Sequence, residues 1–366
     1  MGCPRSVFLV LIVCFYTGCS TSNSESELNT IDIMFSEAED IGLSTISDRV
    51  DSIALETLEN NLITRIVDIE HNEESIFVAD PGALFKFSKG GKFIKQIGRK
   101  GQGPGEYLNV TDITLDKKSN LLYLASSLSQ KIICFDTSGN FIKETKTLGI
   151  NGVKVLNGTL YGVFTEYGIP AADATKWFNN SYLVNFETDL LPKDTVLIKS
   201  VKADKGTAAI SGMVGDQILS EVDGDIFVYQ GEVMQESFVR DTLYQVSENS
   251  RIASLKLNFG ITDRSEDYLF IKSVIRTKNH VVVDFSVEDY SGMSISNLST
   301  NNSYVARDSF QDDLWNTGTA KLLPWDLGSE ELYFVKEGME LVDKFDSLTG
   351  EENPWIFIVK LKKSPF

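Results

Sequence analysis

The sequence predicts an all-β chain built from repeated units of about four antiparallel strands. Three observations support this: apolar and polar residues alternate in short runs, glycine pairs separate the runs, and the pattern recurs at a nearly constant interval. The interval is 46 residues at the first run and 48 residues at the last. The first unit holds Ile76–Asp80, Leu84–Phe87, Gly90-Gly91 and Phe93-Ile94, and the second holds Leu122–Ser126, Ile132–Asp136, Gly139-Asn140 and Phe141-Ile142.

More diverged runs continue the series. They are Thr159–Phe164 with Ser181–Phe186, Asp225–Tyr229 with Thr242–Val246, His280–Phe285 with Asn302–Ala306, and Glu331–Val335 with Trp355–Lys360. A period of about 45–55 residues with four strands per unit is typical of β-propellers, and the chain length favours a six-bladed β-propeller. Ser52–Glu56 is expected to complete the last blade and close the ring. Short helices are expected within 263–275 and 335–347.

The stretch Gln96–Tyr107 holds four glycines and Pro104 between two alternating runs. Glycine permits positive φ and proline restricts φ, so the stretch favours a compact turn over a helix or a central strand. We predict a tight crossover between two blades. A phosphate-binding loop is the alternative, but such a loop leads directly into a helix, whereas a strand-like run follows here.

Residues 1–18 are predicted to be a signal peptide rather than part of the fold. Arg5 precedes the apolar run Val7–Tyr16, which is too short to cross a bilayer as a helix. Thr17-Gly18-Cys19 resembles a bacterial lipobox, so Cys19 is the predicted lipidation site. Residues 19–30 are expected to form a flexible tether, and 31–366 the propeller domain. Cleavage without lipid and myristoylation of Gly2 are the alternatives.

The chain is acidic, since 52 Asp and Glu residues against 34 Lys and Arg give a formal net charge of −18. Nucleic acid is therefore excluded as an expected partner, because binding it requires a basic surface. The charge favours a soluble monomer. Of four cysteines, Cys3 and Cys14 lie in the signal peptide and Cys19 in the lipobox, so Cys134 is expected to be a buried free thiol.

Four features together resemble the six-bladed β-propeller lipoproteins of Bacteroidetes, a family related in shape to NHL-repeat propellers. They are the stretch Gly98–Tyr107, the Phe-x-x-x-Gly-x-Phe-Ile endings of the first two units, Asn353-Pro354 and the lipobox. The resemblance implies a cell-envelope location, with a lipid anchor in the outer membrane. It implies no defined activity.

The sequence contains no established catalytic or metal-binding motif. His71 and His280 are its only histidines, and the polar segment His71–Ser75 predicts a solvated turn. A dispersed Ser/His/Asp triad remains an open alternative. No cofactor is predicted, and a calcium ion held by oxygen ligands in the channel is the alternative. Four adjacent carboxylate pairs are expected to be solvated loop charges: Glu73-Glu74, Asp312-Asp313, Glu330-Glu331 and Glu351-Glu352.

Ligand contacts are predicted in loops, because loops on a rigid scaffold often carry function. The candidates are Arg99, Lys100 and Glu106 in the glycine-rich stretch and Trp177 in a later insertion. Trp315 and Trp325 are expected either to contact a sugar or to cap blade cores. Asp-Ser/Thr-aliphatic tripeptides resemble the O-glycosylation acceptor pattern of Bacteroidetes secreted proteins, which nominates Ser52, Thr195, Thr242 and Ser347.

The sequence therefore predicts a lipid-anchored, non-catalytic propeller of the cell envelope that binds a ligand at one face of the ring. A glycan or an envelope protein is the expected partner, and the membrane is contacted through the lipid alone. The alternative is a propeller enzyme, a lyase or hydrolase of glycans or lactones, with an acidic or metal site at the channel mouth. The fold does not decide between a binding protein and an enzyme.

Overall fold

The computed structural model describes residues 28–172, 176–204, 219–231, 238–247, 250–261, 269–288 and 290–363. Within these ranges, six sheets with four antiparallel strands each follow one another along the chain as six blades, and one of them gains a fifth, parallel strand. The first strands of blades 1 to 5 contact one another in order, as expected for strands around a common centre. The predicted six-bladed β-propeller is confirmed.

The first half of the chain forms three blades. Two strands come before them, β1 (Thr30–Asp32) and β2 (Ser47–Ala54). Blade 1 holds β3 (Asp68–His71), β4 (Ser75–Asp80), β5 (Ala83–Ser88) and β6 (Phe93–Ile97), and the crossover after it holds β7 (Arg99–Lys100) and β8 (Glu106–Tyr107). Blade 2 holds β9 (Asp112–Asp116), β10 (Leu121–Ser126), β11 (Lys131–Asp136) and β12 (Phe141–Lys146). Blade 3 holds β13 (Ile150–Leu156), β14 (Thr159–Pro170), β15 (Lys176–Phe186) and β16 (Pro192–Asp204).

The second half forms the other three blades. Blade 4 holds β17 (Leu219–Val222), β18 (Asp225–Tyr229), β19 (Thr242–Ser247) and β20 (Ser250–Asn258). Blade 5 holds β21 (Leu269–Arg276), β22 (His280–Val287), β23 (Tyr290–Asn297) and β24 (Ser303–Arg307). A small sheet of β25 (Phe310–Asp312) and β26 (Gly318–Ala320) precedes blade 6, which holds β27 (Leu323–Asp326), β28 (Glu331–Lys336), β29 (Trp355–Leu361) and β2. The helices are short: a 3-10 turn at Phe35–Glu37, α1 (Leu43–Ile46) and α2 (Gly338–Leu341).

Blade 6 is built from both ends of the chain, which closes the ring. β2 pairs with β29 along its whole length, with Ser52 opposite Phe357 and Ala54 opposite Trp355. β1 adds a fifth, parallel strand to the outer edge of blade 4 by pairing with β20. The predicted closure by the segment that begins at Ser52 is therefore confirmed, and the closure removes an open sheet edge.

The glycine-rich stretch forms the predicted crossover between blades 1 and 2. Gly98 and Gly105 adopt φ values of +63° and +71°, which side chains with a Cβ rarely accept. β7 and β8 then pair in parallel. The Tyr107 hydroxyl donates to Ile97 O at 2.8 Å and accepts from Leu84 N at 3.0 Å, so a fully buried side chain joins the crossover to blade 1.

Two of the expectations for local structure concern helices. Residues 269–275, expected within a helix at 263–275, belong instead to strand β21, because Leu269, Ile271 and Val274 are buried in the sheet core. Residues 263–268 lie outside the described residues. The helix expected within 335–347 is present but limited to the four residues of α2.

Apolar clusters fill the spaces between adjacent blades, while the alternate residues of the inner strands face the centre. On β3, Ile69 and His71 are buried and Ile69 joins an apolar cluster, whereas Asp68 and Glu70 are partly exposed and line the central cavity. The fold thereby carries polar side chains of several blades to one place. Cys134 is a buried free thiol on β11, as expected.

Candidate functional site

A cavity of about 1130 Å³ occupies the centre of the ring. Its walls include the first strands of blades 1, 2, 3 and 6, together with the end of β17 in blade 4. The turns that follow these strands form the mouth of the cavity, with Lys117, Gly158 and Gly224 among the lining residues. Large concave sites with a few convergent polar groups are the usual place for small ligands. The cavity is therefore the candidate site.

An ion pair crosses the cavity wall from blade 3 to blade 1. Lys154 Nζ lies 2.9 Å from Glu70 Oε1. Burial lowers the pKa of Lys154, but the carboxylates of Glu70, Asp68 and Asp112 more than offset this effect and raise its pKa above the ordinary value. Lys154 therefore remains protonated, and it is a hydrogen-bond donor rather than a nucleophile.

Two further carboxyl groups lie beside this ion pair. Asp68 and Asp112 are the first residues of β3 and β9, which are neighbouring inner strands, and their carboxyl groups lie close enough to interact. Burial, followed by the charge of Asp68, raises the pKa of Asp112 well above its ordinary value. The raised pKa favours the protonated form of Asp112, because two adjacent carboxylates cannot both ionise easily.

Backbone groups of the next blade hold these side chains in place. Asp112 Oδ2 accepts a hydrogen bond from Val153 N at 2.8 Å, and Thr114 Oγ1 accepts one from Val155 N at 2.8 Å. Both acceptors lie on β9 and both donors lie on β13. The polar face of blade 2 is thus joined to the inner edge of blade 3, which fixes the position of Asp112 relative to Lys154.

An aromatic stack forms another part of the wall, where blade 6 meets blade 1. His71 lies on Trp325 with ring centroids 4.2 Å apart, and its Nδ1 is 3.0 Å from Lys89 Nζ. Burial, with the charges of Lys117 and Lys89, lowers the pKa of His71 to about 4, so the imidazole is neutral at pH 7. The expectation of a solvated His71 is wrong, since the side chain is 8% exposed. The ring is needed to fill the junction between the blades.

The second histidine lies in a buried polar cluster between blades 5 and 6. His280 Nδ1 is 2.8 Å from Glu330 Oε2, which also accepts from Thr277 Oγ1 at 2.6 Å. Asn279 N donates to Glu330 Oε1 at 2.8 Å. The Thr277 hydroxyl points to the carboxylate rather than to the imidazole ring, and none of these residues lines the cavity. The cluster is therefore a structural joint rather than a nucleophile and base.

Two of the adjacent carboxylate pairs depart from the expectation of solvated charges. Glu330 and Asp312 are each 3% exposed, whereas Glu331 and Asp313 keep more contact with solvent. Asp312 accepts hydrogen bonds from Trp315 N and from Thr317 at the turn between β25 and β26. Burial is possible because backbone and side-chain donors surround each of the two carboxylates.

The residues predicted from sequence as ligand contacts lie away from the cavity. Arg99 is 80% exposed and its Nε lies 2.7 Å from Glu106 Oε1, while Glu106 Oε2 accepts from Gly103 N at 2.8 Å. Lys100 is exposed on the same crossover, and Trp177 is half-buried on β15. The structure does not bring these four residues together with the carboxylates of the cavity, and their role in binding stays a prediction.

The other nominated positions are distributed over the ring. Trp315 packs edge-on against Phe357 and donates from Nε1 to Val50 O at 2.9 Å, as a cap on the core of blade 6. Cys19 lies outside the described residues. Of the nominated O-glycosylation positions, Thr195 and Ser347 are exposed, and Ser52 and Thr242 are half-buried in strands.

The described residues bear on two remaining hypotheses, membrane spanning and metal binding. No helix there has the length and apolar character needed to cross a membrane. No cluster of three or more His, Cys, Asp or Glu side chains is arranged there to hold a metal ion. The calcium hypothesis has no structural support from these residues and stays a prediction.

No motif in the sequence marks the four polar residues of the cavity wall, Asp68, Glu70, Asp112 and Lys154. A signal for them was present, because each belongs to the polar half of an alternating run at the start of a blade. In a propeller the first strand of each blade faces the centre. The pattern alone could not show that Lys154 lies within hydrogen-bond distance of Glu70, which is 84 residues away in the chain.

The fold and the cavity together define a β-propeller with a polar, charged centre. Residues 28–360 match the model of DUF4934, a domain of unknown function, and the chain belongs to this family. No curated protein sequence gives a significant match to the chain.

Solved structures extend the comparison of the fold. A crystal structure from Bacteroides fragilis, described provisionally as an exported protein, is similar with a TM-score of 0.65 and 16% identity over 92% of this chain and 100% of that one. The β-propeller domain of Cps50 (Swd1) from Myceliophteria thermophila has a TM-score of 0.45 and 9% identity, over 85% and 100% of the two chains. At these identities the first similarity supports the fold alone, and the second is too weak to support an argument.

Proposed function

We propose that this chain is a cell-envelope β-propeller that binds a small polar ligand in its central cavity. The observation that carries the proposal is the convergence of Lys154, Glu70, Asp68 and Asp112 on a cavity of about 1130 Å³. Four polar side chains from three blades are costly to gather in one place unless they are satisfied by each other or by a ligand. Lys154 keeps 34% of its side-chain surface exposed to the cavity, so it remains available to a ligand.

A ligand in the cavity should stabilise the folded protein against heat. We expect one class among amino acids, polyamines and neutral oligosaccharides to raise the midpoint of thermal unfolding, because a ligand at 100 times its Kd adds about 2.7 kcal/mol. The double variant Glu70→Gln/Lys154→Met should lose this increase, while Lys146→Met, an exposed position on blade 2, should keep it. An equal response of the double variant and the parent would place the ligand elsewhere, and no response to any class would contradict the proposal.

The proposal includes export and anchoring through a lipid on Cys19. The short apolar run after Arg5 and the residues before Cys19 support it, as does the resemblance to lipoproteins of the NHL-like type. The anchor leaves the propeller outside the bilayer, where it meets ligands of the envelope.

Lipidation predicts a change in partitioning when Cys19 is replaced. The full chain, expressed in a bacterium that processes lipoproteins and labelled with an alkyne fatty acid, should carry the label and enter a detergent phase. Cys19→Ala should lose both properties, whereas Cys134→Ala, which alters a buried thiol, should keep them. Equal labelling of the parent and Cys19→Ala would exclude this residue as the anchor.

A second candidate function is hydrolysis or elimination at the same cavity. The raised pKa of Asp112 next to a second carboxyl group favours it, because two carboxyl groups in different environments can act as acid and base. Cleavage is distinguished from binding by incubating the protein with any ligand that stabilises it and following the products by mass spectrometry. Turnover that Asp112→Asn abolishes would establish the enzyme, and recovery of the intact ligand would retain the binding function.

A further inference from the structure

The polar groups of the cavity place a hydrogen-bond donor next to several acceptors. Lys154 supplies the donor, and Glu70, Asp68 and Asp112 supply the acceptors. These groups come from three neighbouring inner strands and therefore lie side by side on one wall. A ligand that both donates and accepts at adjacent atoms can pair with all of them.

This wall carries groups of both signs. The ammonium of Lys154 neutralises Glu70 at 2.9 Å, and Asp68 and Asp112 lie beside this ion pair as two further carboxyl groups. A cationic ligand placed here would be repelled by Lys154, and an anionic ligand would be repelled by the carboxylates. A neutral hydroxyl group is repelled by neither, since it can accept a hydrogen bond from the lysine and donate one to a carboxylate.

The carboxylates at the mouth are occupied by their own surroundings. Asp116 accepts from Lys118 N at 3.0 Å, Asp223 lies 3.0 Å from Lys278 Nζ, and Asp326 accepts from Ser329 N at 3.2 Å. These contacts hold the turns in shape and partly screen the negative charge. The mouth is thus not a dedicated cation site. The hydrogen-bonding groups that a ligand would use lie deeper in the cavity, at Lys154 and its neighbours.

The cavity also offers apolar and aromatic surface next to the polar wall. Tyr167 on β14 is 44% exposed and lines the same cavity, as do Leu156 and Val163. A pyranose ring has hydroxyl groups at its edge and an apolar C–H face, so it can use both kinds of surface at once. The volume exceeds the range of about 300–1,000 Å³ typical of drug-sized ligands, which favours an oligomer over a single sugar.

We propose that the central cavity binds a neutral, hydroxyl-rich oligosaccharide, with Lys154 and Glu70 as its main polar contacts and Tyr167 as an apolar contact. This inference rests on the proposed function, because it assigns a ligand class to the same cavity. Lys154 donates to ring or hydroxyl oxygens, and Glu70 accepts from a hydroxyl next to them. Selectivity for neutral sugars follows because the wall presents an ammonium group and carboxylates side by side.

Matched trisaccharides test the inference by isothermal titration calorimetry. The probes are maltotriose, cellotriose and N,N′,N″-triacetylchitotriose, each neutral, with the fully deacetylated chitotriose as a cation and trigalacturonic acid as an anion. We expect at least one neutral probe to bind at least tenfold more tightly than both charged probes. Glu70→Gln/Lys154→Met should weaken that binding at least tenfold, Tyr167→Ala should weaken it measurably, and Lys146→Met should leave it unchanged.

The possible outcomes separate the ligand class from the proposed function. Tighter binding of the deacetylated trimer or of spermidine, lost in the double variant, would overturn the neutral sugar and retain the cavity as a binding site. Failure of all three neutral probes to bind below about 1 mM would also overturn the inference. Neutral binding that the double variant retains would exclude this wall as the sugar site. Circular dichroism of each variant shows that it is folded, and Tyr167→Ala provides a test independent of the ion pair.

Discussion

Glu330→Ala is expected to lower the free energy of unfolding by about 3 kcal/mol or more, because each buried polar group left without its hydrogen-bond partner costs about 1–3 kcal/mol. The carboxylate holds three donors at one point between blades 5 and 6: Thr277 Oγ1, Asn279 N and the His280 ring. Truncation leaves all three in a site where water does not replace the lost acceptor, because Glu330 is 3% exposed. Chemical denaturation followed by circular dichroism measures the loss.

The adjacent residue provides a matched control. Glu331 lies on the same segment and its carboxylate contacts Lys360 Nζ at 3.3 Å with both side chains partly exposed, so Glu331→Ala should cost less than about 1 kcal/mol. Glu330 has a φ of 58°, and alanine tolerates this conformation no better than glutamate does, so the difference reports the side chain rather than the backbone. An equal decrease in the free energy of unfolding of the two variants would show that the buried Glu330 carboxylate contributes no more stability than the partly exposed Glu331 carboxylate.

The same carboxylate predicts a pH dependence with a definite sign. Burial raises the pKa of Glu330, but the hydrogen bonds from His280, Thr277 and Asn279 more than offset this effect and lower the pKa below its ordinary value of 4.5. A lowered pKa in the folded state contributes stability that is present above about pH 4.5 and is lost as the pH falls through the folded-state pKa. Glu330→Gln, which cannot ionise, should lack this part of the acid dependence.

Asn353→Asp is expected to lower the free energy of unfolding by at least about 3 kcal/mol. The Asn353 amide is 2% exposed and its Nδ2 donates to Glu56 O at 3.0 Å and to Asn61 O at 3.1 Å. Its Oδ1 accepts from Ile63 N at 2.8 Å. Aspartate has nearly the same shape but replaces the donor with an oxygen that faces two carbonyl groups, and both carbonyls lose their partner.

The loss of stability in Asn353→Asp should be greatest at the junction that closes the ring. Asn353 precedes β29, and its partners lie in the segment that leads from β2 to blade 1, so the side chain ties the two ends of the chain together. Hydrogen exchange should therefore increase first in β2 and β29. Asn301→Asp, at an exposed turn of blade 5, is the control and should change stability by less than about 0.5 kcal/mol. A similar small effect at Asn353 would mean that the closure does not depend on this amide.

The repeated strands could be predicted because local sequence patterns determine them. Alternating residues, glycine turns and a recurring interval each report on a few neighbouring positions, and these determine strands and hairpins before any long-range contact is made. The closing role of Ser52 was also predictable, since a ring without an open edge requires one more strand for the last blade. The strand at Leu269–Arg276 was misjudged as a helix, because an apolar run of this length has no decisive period of its own.

Burial of individual polar residues was the harder property to predict. His71, Asp312 and Glu330 look like solvated turn residues in the sequence, yet each is buried by a partner from another element or by the turn it caps. A polar side chain becomes buried when donors, acceptors or a flat ring are supplied around it. Those groups come from Trp325 for His71 and from Thr277 and His280 for Glu330, and no local pattern reveals such pairings.

The sequence by itself determined that this chain is an acidic, all-β ring of six repeated units, because period, alternation and charge are local or additive properties. Only the tertiary structure decided where its chemistry lies. Packing of the first three blades brings Glu70 of blade 1 within 2.9 Å of Lys154 of blade 3 and sets Asp68 against Asp112, although each side chain is an ordinary strand residue in the sequence. Electrostatic and hydrogen-bonding properties depend on distance in space, and in a propeller that distance is fixed by how the blades pack around the centre.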